Sequence, residues 1–114
     1  MMTNDNIIFD ISITEDWKVL SISGRIDTLT ANTAEDKAKE VLLSSEKLAL
    51  DLSNLDYISS AGLRVLLRLA KKTKAEKKSF VLINANGLVR EILEESGLDV
   101  LFTMINSQKE LTRI

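Results

Sequence analysis

The chain has 114 residues, 45% hydrophobic and 28% charged, with 15 Lys+Arg against 17 Asp+Glu for a formal net charge of −2. This is one domain's worth of ordinary globular sequence, which excludes disorder, a collagen-like repeat, a second independent core and the basic excess of a nucleic-acid binder. There is no His, Cys or Pro, which removes disulfides, thiolate nucleophiles, zinc–sulfur sites, a Ser-His-Asp triad and imidazole ligands, and leaves a metal only oxygen ligands. The apolar runs, such as Val41–Leu43 and Val65–Leu67, fall far short of the about 20 residues that cross a membrane. Asp5 and Asp10 precede the first basic residue, Lys18, whereas a signal peptide needs a basic start and an apolar run. These features predict one cytoplasmic domain over residues 1–114, with no cofactor, metal, nucleic-acid or membrane partner.

Ile7, Phe9, Ile11 and Ile13 alternate with polar neighbours, the pattern of a half-buried strand. Trp17, Val19, Leu20 and Ile22 predict a second strand ending at Gly24, joined to the first by Thr14-Glu15-Asp16 as an antiparallel hairpin. Between Thr30 and Leu43 the period changes: Ala34, Ala38, Val41 and Leu42 form one helical stripe, with Thr30 or Asn32 available as its cap. Leu48–Leu52 is a short apolar strand of the kind covered on both faces. A helix from about Ser60 to Thr73 carries Leu63, Leu66, Leu67 and Ala70 on one face and Arg64, Arg68, Lys71 and Lys72 on the solvated face, before a connection at Lys74–Lys78. Phe80–Ile83 reads as a buried strand. Leu88, Val89, Ile92 and Leu93 read as a third helix that Asn84 or Asn86 could start and Gly97 could end. Val100–Ile105 is a candidate last strand, and the spacing of Ser107 and Glu110 opens a short terminal helix.

The order β-β-α-β-α-β-α-β-α predicts a single α/β domain with about four helices, whose mostly parallel sheet is made mixed by the N-terminal hairpin. Sites in such sheets lie where strand carboxyl ends meet helix N-termini. Here that means the loops 24–30, 53–60 and 84–87. The middle loop places Ser59 and Ser60 at the start of the strongest helix, where unpaired N–H groups and partial positive charge favour a phosphate. Either serine could instead be a simple N-cap. Gly62 would leave that turn open to a partner's backbone or a phosphate. Asp27 could reach the serine loop or a partner, or bond its own turn. Arg64, one turn after the serines, could pair a phosphate or an acidic surface, or lie in solvent. Trp17 reads as core or edge-strand packing.

Asp51-Leu52-Ser53 and the run from Tyr57 through Ser59, Ser60, Gly62 and Arg64 to Leu67 closely resemble the signature of bacterial anti-sigma factor antagonists of the STAS domain family. Gly24-Arg25-Ile26-Asp27 is similar to that family's Gly-x-x-Asp turn, and Val89–Gly97 with Leu98-Asp99 to the end of its third helix. The likeness covers nearly the whole chain. It implies a partner switch. The unmodified antagonist binds an anti-sigma factor that is also a serine kinase, and the sigma factor is freed. Phosphorylation of a loop serine then releases the antagonist, and a serine phosphatase resets it. By position Ser60 matches the phosphoacceptor. Ser59 falls where many members carry Asp, which removes one negative charge and leaves a second candidate hydroxyl. Asp27, Ser59, Ser60, Gly62 and Arg64 are the implied partner-binding residues. Such a protein is a substrate rather than an enzyme.

Two other readings compete. A STAS-like binding or scaffold domain in a transport or signalling complex needs no phosphorylation, and the retained Ser60 argues against it. A small enzyme or response regulator needs an acidic cluster at a strand end, a late lysine or a phosphate-binding loop. Asp51 stands alone in its strand, Lys109 comes too late, and no Gly-x-x-x-x-Gly-Lys run exists.

Overall fold

Strand β1 (Ile7–Thr14) turns back antiparallel onto β2 (Trp17–Ile26), with Thr14 opposite Trp17 and Ile7 opposite Gly24. The coordinates are those of a computed structural model that describes residues 7–114. Asp5, used above against a signal peptide, lies outside the described residues. Helix α1 (Ala31–Leu42) leads to β3 (Lys47–Asp51), then β4 (Leu55–Ile58) and α2 (Ser60–Ala75). After β5 (Ser79–Ile83) come α3 (Gly87–Glu95), a 3₁₀ turn at Leu98–Leu101, β6 (Thr103–Ile105) and a 3₁₀ turn at Gln108–Arg113. Among the described residues these strands form one sheet in the order β1-β2-β3-β5-β6, parallel except for β1, with β4 paired to β2 beyond the end of β3. The predicted mixed sheet, hairpin and helix order are as expected. No helix in the described residues is long and apolar enough to cross a membrane.

Several elements depart from expectation. β2 does not stop at Gly24. That glycine sits at φ 101°, the register shifts between Gly24 and Arg25, and the strand runs on to Ile26. A glycine at positive φ here makes a bulge rather than an end. The extra length lets Gly24–Ile26 pair with Leu55–Ile58, so the segment read as loop contains β4. The last strand is shorter than predicted, because Leu98–Leu101 forms a 3₁₀ turn after Gly97, whose φ of 76° ends α3 as expected. The terminal helix is a 3₁₀ turn opened by the predicted Ser107–Glu110 capping box.

Alternation along the strands divides the core by sheet face. Leu20, Ile22, Leu48, Leu50 and Leu82 pack with the stripes Ala34, Ala38 and Val41 of α1, Val65, Leu66 and Leu69 of α2, and Val89 and Leu93 of α3. The other face is smaller: Trp17, Val19, Ala49, Val81, Ile83 and Ile105 lie under Leu111 of the terminal turn. β1 is an edge strand, and its predicted inner face is covered only at its start. Ile7 is buried, whereas Ile11 is 45% and Ile13 69% exposed.

The basic face of α2 is not wholly solvated. Arg68 donates from Nε and Nη2 to the two carboxylate oxygens of Glu35, both at 2.8 Å. Glu35 is buried on α1, so this fork joins α1 to α2. Its carboxyl is held below the ordinary value first by the Arg68 hydrogen bonds, which outweigh its burial.

Candidate functional site

The carboxyl ends of β2 and β4 lie side by side, with Ile26 opposite Ile58. The Ser59 N–H extends that ladder by donating to the Ile26 carbonyl at 2.8 Å. Ser59 is extended (φ −88°, ψ 176°), and its hydroxyl accepts the Gly62 N–H at 3.3 Å. Ser59 is therefore the N-cap of α2. Ser60 is the first residue of the helix and is exposed, and no hydrogen bond holds its hydroxyl among the described residues. The adjacent serines thus occupy different positions, one structural and one presented to solvent.

Gly62 corrects its sequence reading. It is buried, and a Cβ there would lie 2.6 Å from Ile58 Cγ1, 2.8 Å from Ile26 Cγ2 and 3.2 Å from the Ile26 carbonyl oxygen. The missing side chain lets the first turn of α2 sit directly on β2 and β4 rather than opening the turn to a visitor.

Asp27 turns toward its own loop. Its Oδ1 accepts the N–H of Leu29 at 3.0 Å and of Thr30 at 3.1 Å, and the Thr30 hydroxyl lies 3.2 Å away. Burial raises the Asp27 carboxyl, but these bonds and the nearby Arg25 charge more than offset it, so its pKa is lowered. Thr30, fully buried, does not cap α1 in the usual way. Its hydroxyl donates to the Arg25 carbonyl and accepts the Asp27 N–H, each at 2.8 Å. Asn32, the other predicted cap, is already inside the helix. Arg64 is exposed one turn beyond Ser60, with no ion pair among the described residues.

Arg25 and Tyr57 belong to the two motifs but carry no site role in the sequence reading. They are register partners on β2 and β4, with the guanidinium 4.6 Å from the ring centroid. The Asp27 Oδ2 lies 3.7 Å from Arg25 Nε. Arg25 fills a variable position of Gly-x-x-Asp and Tyr57 opens the signature run, but their pairing depends on β4, a strand that the sequence pattern does not reveal.

In the loop 84–87, Asn86 takes the N-cap position of α3, but the asparagine side chains tie the loop down rather than bond the helix end. Asn84 Nδ2 donates to Ser53 Oγ at 3.1 Å, and Asn86 Nδ2 to the carbonyls of Asn84 at 3.0 Å and Ser53 at 3.3 Å. Neither side chain caps α3. Ser53 Oγ in turn donates to Asp51 Oδ1 at 2.5 Å. A cavity of about 420 Å³ lies between the C-terminal ends of α1 and α2, lined by Lys39, Leu43, Lys72 and Lys78. It sits at the opposite end of these helices from Ser60. Among the described residues no group of three or more acidic side chains could hold a metal.

The fold and the site define a small α/β domain that presents a serine at a helix N-terminus. The sequence profile of the STAS domain matches residues 9–111, and the chain belongs to that family. BtrV of Bordetella bronchiseptica, designated an anti-sigma factor antagonist, is 36% identical over 92 residues, covering 80% of this chain and 79% of its own. The anti-sigma-F factor antagonist RsfB of Mycobacterium tuberculosis is 29% identical over 108 residues, covering 94% and 88%. Among solved structures, an anti-sigma factor antagonist from Mycobacterium paratuberculosis superposes with a TM-score of 0.80 at 25% identity, over 100% of this chain and 98% of its own. SpoIIAA shares the fold in its unphosphorylated form (TM-score 0.74, 17% identity, 93% and 95% covered) and, as the Bacillus cell fate determinant, in its phosphorylated form (TM-score 0.69, 16%, 93% and 98%).

Proposed function

We propose that this chain is an anti-sigma factor antagonist that acts by partner switching, with Ser60 as its phosphoacceptor. The unmodified protein binds an anti-sigma factor that is also a serine kinase and frees the sigma factor. Phosphate on Ser60 releases it, and a serine phosphatase restores the binding form in the cytoplasm. The observation that carries this reading is the division of labour between the serines: Ser59 caps α2, while the Ser60 hydroxyl is exposed and unbonded among the described residues. The relatives named anti-sigma factor antagonists support the class.

The chemistry asks little of this chain. The kinase supplies ATP, Mg²⁺ and the residue that accepts the serine proton. A phosphate on the first residue of α2 carries about −1.5 to −2 charges at pH 7. It meets the positive end of the helix and stands four residues before Arg64, the favourable order for a helical ion pair. The modified domain therefore keeps its fold. Buried at a dry interface, the same charge opposes binding unless the partner supplies cations, and each ~1.4 kcal/mol is tenfold in affinity.

The test is to incubate the protein with Mg²⁺-ATP and host lysate and to map phosphosites by fragmentation mass spectrometry. Phosphate on Ser60, lost in Ser60→Ala, is expected. Phosphate on Ser59 alone sinks the residue assignment. No phosphate, while the lysate modifies another antagonist, points to an unswitched STAS binding domain.

A further inference from the structure

Among the described residues, the most exposed large apolar side chains lie at separate places: Leu29 (80% exposed), Leu43 (87%) and Val100 (80%). Scattered apolar side chains on a surface need no explanation in themselves. Leu29 differs in two respects. Its backbone is held, and it lies on the same rim as Ser60.

The fixing comes from Asp27 and Thr30. Asp27 Oδ1 holds the Leu29 N–H itself at 3.0 Å and the Thr30 N–H at 3.1 Å, while the Asp27 carbonyl accepts the Ala31 N–H at 2.9 Å. Buried Thr30 pins the other side of the turn through the Arg25 carbonyl and the Asp27 N–H. Leu29 sits at the tip of this cross-bonded turn and points out of it. The position follows from the ladder. Ile26 and Ile58 are register partners, and Leu29 follows the first by three residues as Ser60 follows the second by two. Leu29 lies between the carboxyl end of β2 and the N-terminus of α1, and Ser60 opens α2 just past the carboxyl end of β4. Leu43 lies at the far end of α1, and Val100 lies in the 3₁₀ turn after α3.

We infer that Leu29 is an apolar anchor for the kinase partner, received by an apolar pocket beside the site that takes Ser60, and that Asp27 positions it. This rests on the partner-switching reading and adds the residue that supplies docking affinity. The turn that carries Leu29 is set before binding, so burial costs only the rotamer freedom of the leucine side chain itself, and the surplus appears as affinity. The anchor lies away from the reacting hydroxyl, so it contributes to binding before and during phosphoryl transfer alike.

The probe is the host kinase purified by its ability to phosphorylate Ser60 of the unaltered protein. Its affinity is measured for wild type, Leu29→Ala and Leu43→Ala, all with unchanged circular dichroism. Leu29→Ala is expected to weaken binding at least tenfold and to raise KM for Ser60 phosphorylation by a similar factor with kcat unchanged, while Leu43→Ala changes neither. Equal affinity for wild type and Leu29→Ala overturns the anchor and leaves the switch standing. Equal losses in both variants also overturn it, since any exposed leucine would then serve. If no host kinase modifies wild-type Ser60, the switch fails, and the anchor with it, before any leucine variant is compared.

Discussion

The Ser59 hydroxyl accepts the N–H of Gly62 at 3.3 Å, and this bond separates two serines that the sequence leaves nearly equivalent. Removing it costs α2 its N-cap, about 1 kcal/mol for a typical serine cap. Ser59→Ala is therefore expected to lower the melting temperature while remaining a phosphorylation substrate. Ser60→Ala is expected to melt with wild type and to accept no phosphate. Thermal melts and phosphosite mapping on the same two variants separate the roles. A Ser60→Ala protein that melts well below wild type would give Ser60 a structural role that it lacks here.

Gly62→Ala sets helix propensity against packing. Alanine in a helix interior is favoured over glycine by about 1 kcal/mol. At this position, however, the new Cβ falls 2.6 Å from Ile58 Cγ1 and 2.8 Å from Ile26 Cγ2. Overpacking of this kind costs about 1–3 kcal/mol. The Ile26 carbonyl 3.2 Å away is the group that accepts the Ser59 N–H, so relief by backbone movement shifts the serine loop. Gly62→Ala is expected to be net destabilising in urea melts and to slow Ser60 phosphorylation. A variant more stable than wild type would show that the turn has slack.

The reading of Gly62 marks the boundary of what the sequence can carry. Periodicity found α1, α2 and α3, because each buries a stripe whose spacing is local. The Ser107–Glu110 box and the Gly97 cap were equally local and equally legible. What escaped depends on partners distant in the chain. β4 is four residues long, two of them not buried, and exists because β2 outruns β3. Gly62 is a glycine because of Ile26, and Arg68 is half of a pair because of Glu35. Alternation in β1 predicted a covered face but could not tell that Ile11 and Ile13 stay exposed on the edge strand.

Asp27 tests whether a carboxylate charge or a turn matters to the partner. Asp27→Asn keeps an oxygen for the Leu29 and Thr30 N–H groups, whereas Asp27→Ala removes it. If Asp27 acts by holding Leu29 in place, the Asn variant keeps the wild-type KM for Ser60 phosphorylation, and the Ala variant raises it several-fold. If its charge meets a cation on the kinase, both variants fail together. The kinase assay on the two proteins decides between these.

The Glu35–Arg68 fork makes stability depend on pH. Arg68 lowers the Glu35 carboxyl from its ordinary value of 4.5. A carboxyl depressed in the folded state contributes stability that is fully present above the unfolded value and is lost as pH falls through the folded one. Wild type is therefore expected to exceed Glu35→Gln in melting temperature at pH 7, with a margin of order 1 kcal/mol. That margin shrinks as pH drops below about 4.5. Asp16, Asp27 and Glu76 are lowered as well, so the variant retains part of the acid limb. The two partners are also unequal. The Glu35 side chain is 9% exposed and that of Arg68 51%, so Arg68→Met strands a carboxylate in the helix interface whereas Glu35→Gln leaves a cation that water can reach. Lys39, 3.6 Å from Glu35, relieves only part of that cost. Arg68→Met is expected to melt below Glu35→Gln at pH 7 and to converge on it at acid pH, where Glu35 takes up a proton. Melting curves for both variants between pH 3 and pH 7 check the order, and the reverse order at pH 7 would mean that the interface tolerates a lone carboxylate.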